Sequence, residues 1–137
     1  NSDVEELSME NQVVKAKVVS VYDGDTIKCV FPVEGKLYKW NCRVNGIDTP
    51  EIRTRNKLEK SAGFVARDFM REKILKKVVD LRCGEFDKYG RLLVNVILDG
   101  VDMSDLLVEN GLAFRYDGGT RKDWEEHLRS NPLKFTQ

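Results

Sequence analysis

Five β-rich runs, with one amphipathic helix set between the third and the fourth, most constrain what this chain can fold into. Residues 13–22 are valine-rich with partial alternation, and residues 26–31 resume that pattern after Asp23-Gly24, a strong hairpin signal. Residues 37–47 alternate unevenly through Tyr38, Trp40, Cys42, Val44 and Ile47, which predicts a third strand bulged near Gly46. Residues 78–83 and 92–98 complete the set, separated by a polar turn. Between the third and fourth runs, Ala62, Val65, Ala66, Phe69, Met70 and Ile74 recur at steps of three and four, the apolar stripe of a helix over 61–77. A second, short helix is expected with Ser104 as N-cap, Met103 packed on Val108 and Gly111 as its stop. Residues 124–129 predict one or two further helical turns, ended by Asn131-Pro132.

Five short strands with a helix inserted between the third and fourth suit a small closed barrel of the oligonucleotide/oligosaccharide-binding type. The expected class is α+β, mainly β: a five-stranded barrel carrying two to three helices. At 137 residues the chain fits one domain, placed here at 13–137 behind a flexible polar tail of residues 1–12.

Formal net charge is zero, from 23 basic and 23 acidic residues, so attraction to a polyanion has to come from a local cluster. Residues 53–77 hold nine basic side chains against three acidic ones, a surplus that, from charge alone, a solvated helix face with loop lysines explains better. Cys29, Cys42 and Cys83 cannot all pair within one molecule, and each sits in or beside an apolar run. They read as free core thiols, which favours an intracellular setting, although a signal removed earlier would leave no trace in this chain. No stretch approaches the roughly 20 apolar residues of a membrane span. His127 is the sole histidine and lies in a polar segment, so four-ligand zinc sites and histidine-pair chemistry are disfavoured.

Three short motifs fall at strand ends: Asp23-Gly24-Asp25-Thr26, Asp48-Thr49-Pro50-Glu51 with Arg43 ahead of it, and Asp87-Lys88-Tyr89-Gly90-Arg91. Each alone is a good polar turn whose aspartates cap backbone amides. Jointly they offer carboxylate oxygens, which suit a hard divalent cation, and guanidinium forks, which match phosphate oxygens bidentately. A barrel can gather such ends on one rim.

In that motif order, from about residue 14 to 129 and including Gly111-Leu112-Ala113, the chain resembles the staphylococcal nuclease (thermonuclease) family. The resemblance implies one Ca²⁺ ion held by Asp25 and Asp48 through carboxylates and by Thr49 through its carbonyl. It implies Glu51 as the group that orients or deprotonates water, and Arg43 and Arg91 as phosphate-binding catalytic groups. Lys88 and Tyr89 would contact a neighbouring phosphate, and Tyr116 is a candidate for base stacking. The implied activity is hydrolysis of DNA and RNA with little sequence preference, by a monomer, leaving 3′-phosphate and 5′-hydroxyl ends. The chain departs from the family in a longer hairpin between Asp25 and Asp48, a shorter stretch between Glu51 and Ser61, Gly118-Gly119-Thr120 in the pocket region, and a last helix cut short by Pro132. The rival expectation is a catalytically silent barrel that binds single strands or protein ligands.

Overall fold

A computed structural model describes residues 9–119 and 121–132. Its strands are β1 (Val13–Val21), β2 (Thr26–Val33), β3 (Lys36–Val44), β4 (Ile47–Asp48), β5 (Val78–Phe86), β6 (Leu92–Leu98), β7 (Val101–Asp102) and β8 (Phe114–Arg115). Its helices are α1 (Lys57–Ile74), α2 (Met103–Glu109) and α3 (Trp124–Ser130). The main sheet runs β3-β2-β1-β5-β6-β7 and closes on itself where β3 meets β6 in parallel, with Cys42, Arg43 and Val44 opposite Leu92, Leu93 and Val94. The five long strands therefore form the expected mainly β barrel, with three helices around it among the described residues.

Alternation fills the interior. Ala16, Val18 and Val21 of β1, Ile27, Cys29 and Phe31 of β2, and Leu81, Leu92, Val94 and Val96 opposite them are all buried, and Met70 and Ile74 of α1 join the same cluster. All three cysteines are buried and free. Burial raises the Cys83 thiol, and a hydrogen bond with Cys29 together with burial raises that of Cys42, so both stay protonated and inert. No helix among the described residues is long and apolar enough to cross a membrane.

Several local expectations shift. α1 starts at Lys57, ahead of the predicted 61, because the Asn56 side chain accepts the Glu59 amide at 2.9 Å. It ends at Ile74, before the predicted 77, because Leu75 is extended and Lys76 takes φ 64°. Asp102, not Ser104, caps α2: its carboxylate accepts the Ser104 amide at 2.8 Å, and Met103 is already the first helical residue. The third strand is not bulged at Gly46 but broken there. Gly46 adopts φ 81°, and Ile47–Asp48 pairs instead with Phe114–Arg115 in a separate two-stranded sheet. Residues 1–8 of the expected tail lie outside the described residues. Met9 is buried against the core at 3% exposure, and the backbones of Asn11 and Gln12 bond that of Cys83, so packing begins before Val13.

Candidate active site

The β1–β2 connection turns through Asp23-Gly24, with the Asp25 amide donating to the Asp23 carboxylate at 3.1 Å. Gly24 is required by proximity. A Cβ there would stand 2.9 Å from Thr49 Cγ2 and 3.0 Å from Ala66 Cβ, so only glycine lets this turn rest on the Asp48-Thr49-Pro50-Glu51 segment and on α1. Gly63 of α1 does the same from below, where a Cβ would meet the Glu51 carbonyl carbon and oxygen at 2.9 Å. Glu59, also on α1, accepts the Glu51 amide at 2.9 Å. Both acidic motifs are thus seated on one helix.

Arg43 lies opposite Thr26 across the β2–β3 ladder. Its guanidinium donates to the Val44 and Ile47 carbonyls at 2.5 and 3.0 Å and approaches Asp25 Oδ2 at 3.3 Å. The break at Gly46 supplies that Ile47 carbonyl, so the same irregularity that ends β3 fixes the arginine. The third motif builds itself. Asp87 accepts the amides of Tyr89 and Arg91 at 2.9 Å through Oδ1 and the Arg91 Nε at 2.7 Å through Oδ2. Burial works to raise the Asp87 carboxyl, but those two amides and the Arg91 guanidinium outweigh it and hold the group below the usual carboxylate range.

A cleft of about 640 Å³ is lined by Asp23, Asp25, Arg43, Asp48, Thr49, Glu51, Tyr89, Arg91 and Tyr116. Lys88 lines an adjoining cavity of about 710 Å³, together with Arg43, Tyr89, Arg91 and Tyr116. Tyr89 is 73% exposed, and its ring has Lys88 and Arg91 cations 5.2 and 5.6 Å from its centroid. Tyr116 spends its hydroxyl on the Gly119 carbonyl at 2.8 Å. Every residue singled out from the sequence therefore faces one of two adjoining hollows.

Two participants, Arg121 and Trp124, carried no signal in the sequence. Asp48 is only 4% exposed, and its two oxygens are taken by Arg121 at 2.7 Å and by the Trp124 indole N–H at 3.0 Å. Arg121 also reaches Glu51 Oε1 at 2.6 Å. Burial acts to lower the Arg121 pKa, but hydrogen bonds and charge from Asp48 and Glu51 prevail and raise it. Asp23, which opens the first motif, is pushed up to about 7, first by burial and then by the neighbouring Asp25. The one available hint was that a buried tryptophan in α3 needs an acceptor for its N–H.

Among the described residues no three His, Cys, Asp or Glu side chains are gathered closely enough to hold an ion unaided. The donor chemistry nonetheless fits a hard cation. Asp25, Asp48 and the Thr49 backbone offer oxygen alone, and Ca²⁺ completes its shell readily with water and with a ligand's own oxygens.

The staphylococcal nuclease homologue family matches residues 41–131, which takes in Arg43, Asp48, Thr49, Glu51, Asp87 and Arg91. This chain belongs to that family. It is 36% identical to a thermonuclease of Staphylococcus hyicus over 71% of its length and 56% of the relative's. Endonuclease YncB of Bacillus subtilis is 32% identical over 76% of this chain and 49% of its own. An uncharacterised protein of Methanocaldococcus jannaschii is 32% identical over 73% and 58%. The aligned part of this family member thus spans about half the length of these curated relatives.

Proposed function

We propose that this chain is a calcium-dependent nuclease that hydrolyses phosphodiester bonds of DNA and RNA with little sequence preference. The observation that carries the reading is the convergence of two buried aspartates, Glu51 and two fixed arginines on one open cleft. Kinship with a thermonuclease and an endonuclease supports the same chemistry. The reading treats residues 13–137 as one nuclease domain acting as a monomer, with residues 9–12 tucked against it.

Asp25, Asp48 and the Thr49 carbonyl would hold the cation, which when bound supplies electrostatic stabilisation of the phosphate charge. Arg43 and Arg91 grip two oxygens of the scissile phosphate and meet the charge that grows on them in the in-line transition state. Glu51 takes the proton from the attacking water. The new bond joins that water oxygen to phosphorus, the bond to the 5′ oxygen breaks, and the departing oxygen is protonated from solvent. A 3′-phosphate and a 5′-hydroxyl result. Lys88 and Tyr89 bind the neighbouring phosphate, and Tyr116 offers a ring to the adjacent base. These contacts go to backbone and ring faces, which explains the absence of sequence preference.

The test is Glu51→Gln. Turnover falls roughly 10³-fold or more while nucleotide affinity stays within a factor of about three, because the amide keeps the size but cannot accept a proton. Product ends are identified on DNA and RNA with Ca²⁺, Mg²⁺ or chelator. Near-normal turnover in the variant removes Glu51 from the mechanism, and equal rates with Mg²⁺ remove the calcium assignment.

A further inference from the structure

The β2–β3 hairpin outruns the barrel. Its ladder extends from Thr26–Arg43 to Val33–Lys36, yet β1 pairs with β2 only as far as Val30, and β6 pairs with β3 only from Cys42. Glu34 and Gly35, with φ 51° and 80°, close it with a tight two-residue turn, so the projecting arm is stiff. Along that arm the Trp40 ring stacks on buried Phe31 at 4.6 Å and 5°, and its indole N–H is satisfied by the Phe31 carbonyl at 3.3 Å. Tyr38 meets Trp40 edge-on at 6.1 Å, and Phe86 lies 6.3 Å away on the other side at 27°.

A barrel plug accounts for Phe31 and for part of Trp40. It does not account for Tyr38 and Phe86, which are 44% and 39% exposed. Lys36 stands 5.6 Å from the Tyr38 ring, and Lys39 lines the groove of about 360 Å³ beside Tyr38 and Trp40, where Glu34 is the acidic member. The strip approaches the cleft along the chain, from the opposite face of β3. Phe86 immediately precedes Asp87, which fixes Arg91, and Trp40 sits three residues before Arg43, about 10 Å along the strand.

We propose that Tyr38 and Phe86, packed against Trp40 and flanked by Lys36 and Lys39, form a stacking platform for unpaired bases of a single-stranded nucleic acid whose scissile phosphate lies between Arg43 and Arg91. Exposed rings such as Tyr38 and Phe86 beside lysines, near a phosphate-binding cleft, are what a sequence-tolerant single-strand track requires. Paired bases offer no free faces, so duplex gains nothing from the platform. This inference rests on the nuclease reading for the direction of the strand, not for the existence of the platform.

The experiment compares single strands of about 20 and about four nucleotides, long enough and too short to span both cleft and platform. Tyr38→Ala and the double variant Lys36→Glu/Lys39→Glu each lower kcat/KM roughly tenfold on the long strand and leave the short one unchanged. Quenching of Trp40 fluorescence by the long strand in chelator is weakened in both variants and retained in Glu51→Gln. An unchanged ratio of long to short overturns the platform, as does an equal loss on both strands with a lowered melting temperature. A shift of a dimer to monomer in Tyr38→Ala, with quenching intact, assigns the face to a second copy of the chain and also overturns it. If the unaltered protein cleaves nothing yet its Tyr38-dependent quenching persists, the nuclease reading falls and the platform stands.

Discussion

Asp87 shows how a single side chain sets the pose of another. It accepts two amides of its own turn and the Arg91 Nε, so Arg91 presents its remaining N–H groups in one direction. Arg91→Ala is expected to lower turnover roughly 10³-fold, about 4 kcal/mol of transition-state stabilisation. Asp87→Asn keeps the guanidinium but loosens it, and about tenfold is expected. Because Asp87 titrates below its unfolded value, the stability it contributes is complete above the unfolded pKa of about 3.9 and fades as pH falls through its lower folded value. Urea midpoints of Asp87→Asn and the unaltered protein should differ at pH 6 and converge in strong acid. Arg121 makes a second case. Removing it leaves Asp48 buried with half its partners, and Arg121→Ala should cost about 1–2 kcal/mol in urea unfolding, below the value for a fully buried pair since water reaches the arginine. The three acidic and basic motifs were legible because each is a contiguous turn with its own chemistry. Arg121 and Trp124 were not, since nothing near them in the chain announces that Asp48 is their partner.

α1 is the element on which both acidic turns sit. Gly63 admits the Glu51 carbonyl to the helix surface, and Glu59 on the same helix takes the Glu51 amide. Gly63→Ala should therefore act like overpacking against an unyielding backbone. A loss of about 1–3 kcal/mol is expected, read as a lowered melting temperature, together with reduced turnover because the Glu51 segment is displaced. A helix-propensity gain of roughly 1 kcal/mol for replacing glycine opposes this, and the variant would be stabilised if the contact were soft. The apolar stripe revealed the helix but not its ends. Lys57 and Lys60 give its first turn no pattern, and Lys76 and Lys77 look as helical as Lys73 until the left-handed backbone at Lys76 stops it. The break in β3 was equally hidden, because Ile47 continues the alternation while pairing with a different strand.

At the scale of the molecule, the number of strands and the inserted helix were enough to indicate a barrel, since few other arrangements cover that many short strands. The closure between β3 and β6 could not be read, because parallel pairing of distant segments leaves no local mark. That seam sets Arg43 beside Leu93, two residues from Arg91 and 50 from Arg43, so the two guanidiniums are brought together only when β3 and β6 meet. Such non-local contacts carry a loop-closure cost that delays them relative to local hairpins. On the nuclease reading proposed above, cleavage competence therefore requires the barrel to close. In refolding from urea, secondary structure should recover first, and cleavage should return only with the slowest phase. On the same proposed reading, a chain still emerging during synthesis, before residue 91 is made, holds Arg43 without Arg91 and leaves intact the message that encodes it.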